Sequence, residues 1–219
     1  VAPGGAVRGP RREHRSLRLG HHEGMSTSVK PPVRHLWILR HGKAASDAPW
    51  GGGDRERPLT ARGRRDATAL GKRLGGEVPI FGMDGVPAPD LAVCSDAVRT
   101  RQTAELLIEA TGHPLPLDSY RSLYGADTDL VLRYLREIDE GVTGALVVGH
   151  NPTMHHLIWE LVGGDGDCGA AGGASGGRAV LEAQGFPTCA LAVLAIGVGG
   201  WEDLALGGCT LVGLFKPPY

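Results

Sequence analysis

The chain has 219 residues, 42% hydrophobic and 21% charged, a balance that gives one globular domain with a sizeable core and excludes wholesale disorder. Its 35 glycines follow no G-x-y period, which excludes a collagen-like fibre, and its net charge of −1 offers no general footprint for nucleic acid or a membrane surface. The longest apolar run, Cys189 to Ile196, is strand-sized rather than membrane-spanning.

Residues 1–24 carry five Arg against two Glu, while the remainder is mildly acidic. Residues 1–33 read as a basic, disordered N-terminal extension without the apolar middle of a secretory signal. A nucleic-acid arm is the alternative reading of that segment. Cys94, Cys168, Cys189 and Cys209 lie far apart with no C-x-x-C pair, the usage of reduced thiols in a cytoplasmic protein. The folded domain is expected over residues 34–219.

His35 to Leu39 is a short apolar run, a buried strand ending at Arg40-His41-Gly42. A polar, Gly-rich stretch over 43–58 leads to Thr60, an N-cap candidate, and to a helix with Ala67, Leu70 and Leu74 on one face. Leu91 to Cys94 is the second buried strand. It delivers Ser95 and, through the next helix, Arg99; Ala104, Leu107 and Ile108 give that helix its buried face and Gly112 its stop. Leu115 to Leu117 reads as a short edge strand, because Pro114 and Pro116 remove ladder donors.

Thr128 opens a helix through Val131, Leu135 and Ile138, and Ala145 to Val148 is the third buried strand. After Gly149-His150, Asn151 reads as an N-cap and Pro152 as the first residue of a helix reaching about Val162. Residues 163–177 hold eight Gly and three Ala without periodicity, hence a flexible loop. Ala190 to Ile196 and Trp201 to Leu206 read as a closing hairpin. Repeated strand–helix units with continuous apolar strands predict a three-layer α/β/α sandwich around a largely parallel sheet, with ligands at the strands' carboxyl ends.

Three strand ends therefore converge: Arg40-His41, Ser95 with Arg99, and His150-Asn151. Two Arg and two His without an obligatory acid beside them favour a dianion, because guanidinium forks match phosphoryl oxygens and imidazole can donate a hydrogen bond or attack. Each residue alone has a plainer reading, His41 as a solvated pair with Arg40, His150 as a helix cap, Arg99 on a solvated face. Their joint placement is what points to phosphate. A metal site is disfavoured, since His150, His155 and His156 lack the i,i+4 spacing with a glutamate and no Cys stands near them.

Leu39-Arg40-His41-Gly42, Arg57-Pro58-Leu59-Thr60-Ala61-Arg62-Gly63, the CSDAVRTRQTA run from Cys94 and the VVGHNPT run from Val147 together resemble the histidine phosphatase superfamily, with its phosphoglycerate-mutase-like fold. The RPLT form of the second motif, the short chain and Phe186-Pro187-Thr188 before the last apolar strand resemble the phosphohistidine phosphatase SixA-type branch. The resemblance spans about 34–215. It implies that His41 is a nucleophile forming a phosphohistidine intermediate, and that Arg40, Arg99 and His150 hold the phosphoryl oxygens without metal or organic cofactor. Ser95 and Asn151 match motif positions as supporting or capping residues, Asn151 and Arg57 as further phosphate or loop contacts.

Many members carry a Glu acid where this chain reads Arg121 to Asp127; Asp127 is the nearest carboxylate there, a candidate acid or simply a turn residue. The implied substrates are a phosphohistidine protein or a phosphorylated small molecule, with no nucleic acid or membrane partner. Two alternatives stay open: a broad small-molecule phosphomonoesterase, and a non-catalytic phosphate-binding regulatory module on the same fold.

Overall fold

The computed structural model describes residues 33–76, 86–163, 177–197 and 199–219. The expected N-terminal extension and Gly-rich loop lie outside these residues, apart from Val33, Gly163 and Gly177. Six strands, β1 (Arg34–Arg40), β2 (Leu91–Ser95), β3 (Leu117–Tyr120), β4 (Gly144–Gly149), β5 (Leu191–Ile196) and β6 (Cys209–Phe215), form one sheet in the order β3-β2-β4-β1-β5-β6. Strands β3, β2, β4 and β1 run parallel, and β5 runs antiparallel to both β1 and β6.

Alternation along the central strand builds the layers. Leu36 and Ile38 of β1 face one apolar cluster, with Val131 and Leu135 of α3 (Thr128–Arg136), Leu157 and Leu161 of α4 (Thr153–Leu161) and Leu181 of α5 (Gly177–Gln184). Trp37 and Leu39 face the other, with Leu70 of α1 (Ala61–Gly75) and Leu107 of α2 (Val98–Thr111). Helices thus cover both faces of a strand set too apolar to meet water on either side, the three-layer sandwich expected from the sequence. Fully burying each such Leu or Ile side chain contributes about 1.5–3 kcal/mol, which anchors the central strands between the two helical layers.

Local chemistry fixes the entry to α1. Thr60 Oγ1 accepts from Gly63 N at 3.1 Å and donates to Lys43 O at 2.9 Å, so one hydroxyl caps the helix and ties it to the chain just after His41. Gly112 ends α2 at φ 74°, a left-handed position where glycine carries no Cβ penalty.

Four local expectations need correction. The edge strand starts at Leu117, beyond the prolines rather than across them. Helix α3 stops at Arg136, and Ile138 packs against the core from the turn that follows. Asn151 is not an N-cap: α4 begins at Thr153 with Pro152 in the cap position, because the Asn151 amide is committed across the fold to Phe186 O at 3.0 Å. The strand pairing with β5 is Cys209–Phe215, not Trp201–Leu206. Trp201 and Leu204 are buried in the connection, where Trp201 Nε1 donates to Val142 O at 2.8 Å.

Candidate active site

The register between β1 and β4 sets Arg40 opposite Gly149, so the residue that follows each strand is a histidine. His41 N donates to Gly149 O at 3.1 Å, and the two imidazoles stand with centroids 5.1 Å apart at 61°. His41 Nδ1 lies 2.7 Å from Gly42 O; a carbonyl only accepts, so Nδ1 carries the proton and the Nε2 lone pair is free. Gly42 N is itself fixed by Thr103 Oγ1 at 3.0 Å, a side chain of α2.

His150 Nε2 lies 2.9 Å from Ser95 Oγ. Ser95 Oγ accepts from Ala97 N at 3.3 Å and has a proton of its own that His150 Nε2 can accept. In that arrangement the imidazole proton sits on Nδ1, a buried atom with no protein partner. Burial holds both rings neutral: His41 is lowered to about 4, with the Gly42 carbonyl opposing and Arg99, Arg40 and Arg57 assisting, and His150 to about 3, with His41 and Arg99 assisting.

Arg99, 5% exposed, comes from the first turn of α2. Its Nη1 donates to Asp54 O at 2.6 Å and its Nη2 to Asp54 Oδ2 at 2.8 Å. The Asp54 carboxylate also accepts from Tyr124 Oη at 2.7 Å and, through Oδ1, from Arg57 Nε at 2.8 Å and Nη2 at 2.5 Å. The Tyr124 hydrogen bond and the two guanidinium groups hold this carboxyl well below the usual range. Arg57 Nη1 is taken by Ala45 O at 2.9 Å, so this guanidinium props the 45–57 segment.

Arg40 Nη1 donates to Phe186 O at 2.9 Å, the same carbonyl that accepts from Asn151. Nε of Arg40 and Nε of Arg99 are both buried without an acceptor, as is the donor-seeking Asn151 Oδ1. Asp127 caps α3, accepting from Leu130 N at 2.9 Å. It nonetheless lines, with His150 and Asn151, a cavity of about 410 Å³ floored by Leu123, Val131 and Met154.

Sequence reasoning thus reached the residues at the three strand ends but overlooked Asp54 and Tyr124. The expectation of a site without a neighbouring acid is corrected by Asp54, which bridges Arg99 and Arg57. The available signal was an acid three residues before an arginine, Asp54 to Arg57, in a segment without periodicity. Cys94, Cys189 and Cys209 are free thiols pushed up to about 12 by burial, poor nucleophiles. Among the described residues no three His, Cys, Asp or Glu side chains converge as a metal-binding group, and no helix is long and apolar enough to cross a membrane.

A central sheet with two histidines and two arginines at its carboxyl edge defines a phosphoryl-transfer class of fold, and comparison with known proteins is specific. Residues 36–123 match the family described as histidine phosphatase superfamily (branch 1). An uncharacterised protein of Mycobacterium tuberculosis is 34% identical over 82% of this chain and 99% of its own length. Phosphohistidine phosphatase SixA of Escherichia coli is 31% identical over 59% of this chain and 75% of its own. A solved structure assigned as a phosphohistidine phosphatase SixA, from Nakamurella multipartitia, aligns with a TM-score of 0.66 and 34% identity over 85% of this chain and 98% of that one. The chain belongs to the histidine phosphatase superfamily. It is a phosphatase with the phosphoglycerate-mutase-like fold.

Proposed function

We propose that this phosphatase hydrolyses phosphohistidine or small phosphoesters through a covalent phosphohistidine at His41. The observation that carries the reading is the state of His41: Nδ1–H is spent on Gly42 O, the ring is held neutral, and Nε2 keeps its lone pair beside two arginines whose Nε–H groups lack acceptors. A buried donor left unpaired costs about 1–3 kcal/mol, which phosphoryl oxygens would recover.

In the first step the Nε2 lone pair forms an N–P bond as the bond from phosphorus to the leaving group breaks. The leaving group departs with that electron pair and takes a proton. In the second step water attacks phosphorus, the N–P pair returns to Nε2, and inorganic phosphate leaves with the water's protons. Arg40 and Arg99 balance the equatorial charge, and His150 Nδ1–H donates to an oxygen, with Ser95 fixing that tautomer. Asn151 and Arg57 support the rim. Asp127 is the candidate proton source for leaving groups that need one.

Two substrate classes fit this chemistry, a phosphohistidine protein and a phosphorylated small molecule; the likeness to the Escherichia coli enzyme favours the first. The test is to quench turnover of a radiolabelled phosphohistidine peptide and of an aryl phosphate, then map the label. An acid-labile, alkali-stable label on His41, lost in His41→Ala together with turnover, is the expected result. A label that survives acid, or full activity in His41→Ala, sinks the reading.

A further inference from the structure

We infer that Cys189 is a positioning residue for the nucleophile: its backbone N–H, aimed by a turn at positive φ, anchors both peptide units that flank His41. This rests on the reading of His41 as the nucleophile. A peptide unit is planar, so holding its C=O and its N–H fixes the orientation of the whole unit. The Arg40–His41 unit is held at its N–H by Gly149 O, 3.1 Å from His41 N, and the His41–Gly42 unit by Thr103 Oγ1, 3.0 Å from Gly42 N. At the C=O end one donor serves both. Cys189 N lies 3.1 Å from Arg40 O and 3.0 Å from His41 O and donates to the pair. The imidazole inherits this frame, because its Nδ1–H reaches the next carbonyl along the chain, Gly42 O.

The turn explains the aim of that N–H. Residues Pro187 to Ala190 close on a bond of 3.0 Å from Ala190 N to Pro187 O, with Cys189 third of the four at φ 63°. A positive φ at that place belongs to a type II turn and is usually left to glycine. A type I turn would spare the side chain this strain. The two forms differ by a flip of the central peptide, here the Thr188–Cys189 unit, and the flip would swing the Cys189 N–H away from both carbonyls. The strained form is therefore the one that holds the nucleophile.

Its surroundings keep the turn in that form. Cys189 is fully buried in the apolar cluster that Tyr219 packs against, and Tyr219 Oη donates to Cys189 O. Just ahead of the turn, Phe186 O holds Arg40 Nη1 at 2.9 Å and Asn151 Nδ2 at 3.0 Å, and just after it Ala190 O accepts from Arg40 N at 3.0 Å. The Phe186-Pro187-Thr188 motif thus leads into a turn that grips Arg40 by side chain and backbone and His41 by backbone alone.

Steady-state turnover of nitrophenyl phosphate by the full chain, well below each variant's melting midpoint, tests this with Cys189→Gly, Cys189→Val and His41→Ala. Glycine adopts positive φ freely and keeps the N–H in place, so kcat should stay within about twofold of wild type. A β-branched residue is disfavoured there and drives the turn toward the flipped form, so kcat should fall about tenfold or more in Cys189→Val with KM little changed. A side chain that merely fills space would reverse the order: a fall in Cys189→Gly equal to or larger than that in Cys189→Val overturns the anchor, as does full kcat in Cys189→Val. Should Cys189→Val fail to fold, Tyr219→Phe decides. Without the hydroxyl the turn is free to relax, so kcat should fall about threefold, and adding Cys189→Gly, which has no strain to release, should restore it. Full kcat in Tyr219→Phe, or a fall that glycine does not restore, overturns the anchor. Wild-type turnover in His41→Ala sinks the nucleophile and this inference with it, whereas the overturning outcomes above with His41→Ala inactive sink the anchor alone.

Discussion

The imidazoles of His41 and His150 meet at 5.1 Å, each neutral and each with one ring nitrogen committed to a neighbour. Protonating one would place a charge against the other and against Arg99. Unfolded, both rings titrate near the ordinary histidine value of about 6.5. Folded, they resist protonation down to about 4 and about 3.

The unfolded chain therefore binds more protons below about pH 6.5, and stability conferred by the neutral rings is full above that value and lost as pH falls toward 4 and then 3. Melting temperature should decline over this window and the decline should be shallower in His41→Gln and in His150→Gln. Identical slopes in all three proteins would show that other groups govern the acid limb. Asp54, also depressed, adds its loss at still lower pH.

Gly63 brings α1 against the segment that follows the nucleophile. A Cβ there would lie 2.3 Å from Lys43 O and 2.8 Å from Lys43 N, both backbone atoms that cannot step aside cheaply. Gly63→Ala should cost about 1–3 kcal/mol and lower kcat about tenfold or more, because relief must come from moving the chain two residues beyond His41. Thermal melts and steady-state assays on an aryl phosphate check both halves. Wild-type kcat at a lowered melting temperature would uncouple this packing from the nucleophile.

Asp127→Asn separates the cap from the proton source. Asparagine caps helices about as well as aspartate, so melting temperature should hold within a degree or so. If Asp127 protonates leaving groups, kcat/KM for an alkyl phosphate should fall by about 10²-fold or more while phosphohistidine and nitrophenyl phosphate change little. Uniform loss across a leaving-group series, or none, removes Asp127 from the reaction.

Ser95→Ala removes the hydroxyl 2.9 Å from His150 Nε2, which in the proposed mechanism directs the His150 proton to Nδ1. Turnover should drop about tenfold, the worth of roughly one hydrogen bond, through kcat rather than through KM. Unchanged kinetics would mean that His150 finds its tautomer without help.

The parts of this molecule that were legible in its sequence are those where a continuous apolar run dictates a buried strand. Leu36 to Leu39, Leu91 to Cys94 and Ala145 to Val148 could be placed in a parallel sheet, and whatever followed them had to meet at one edge. His41, Arg99 and His150 were found in that way. Asp54 was not, because its partners Arg99, Arg57 and Tyr124 are joined by tertiary contacts from a segment with no periodic signal. β6 was misplaced for the reverse reason. Trp201 to Leu206 has strand-like apolar residues that plug the core from a turn, whereas Cys209 to Phe215 is mostly half-exposed and contains Gly213. Propensity favoured the wrong segment and packing decided otherwise.

The pairing of Arg40 with Gly149 makes the sheet a ruler for the chemistry. Neighbouring strands are spaced by their hydrogen bonds at about 4.8 Å, and the two rings stand at nearly that interval. Their separation is thus inherited from backbone geometry, which side-chain substitutions elsewhere in the strands leave alone. A single inserted residue within β4 does not: it turns the following side chain to the opposite face, and the second imidazole would point away from the first in a sheet otherwise intact. Such an insertion would set the two histidines on different sides of the sheet, a length change more damaging to catalysis than most changes of residue type.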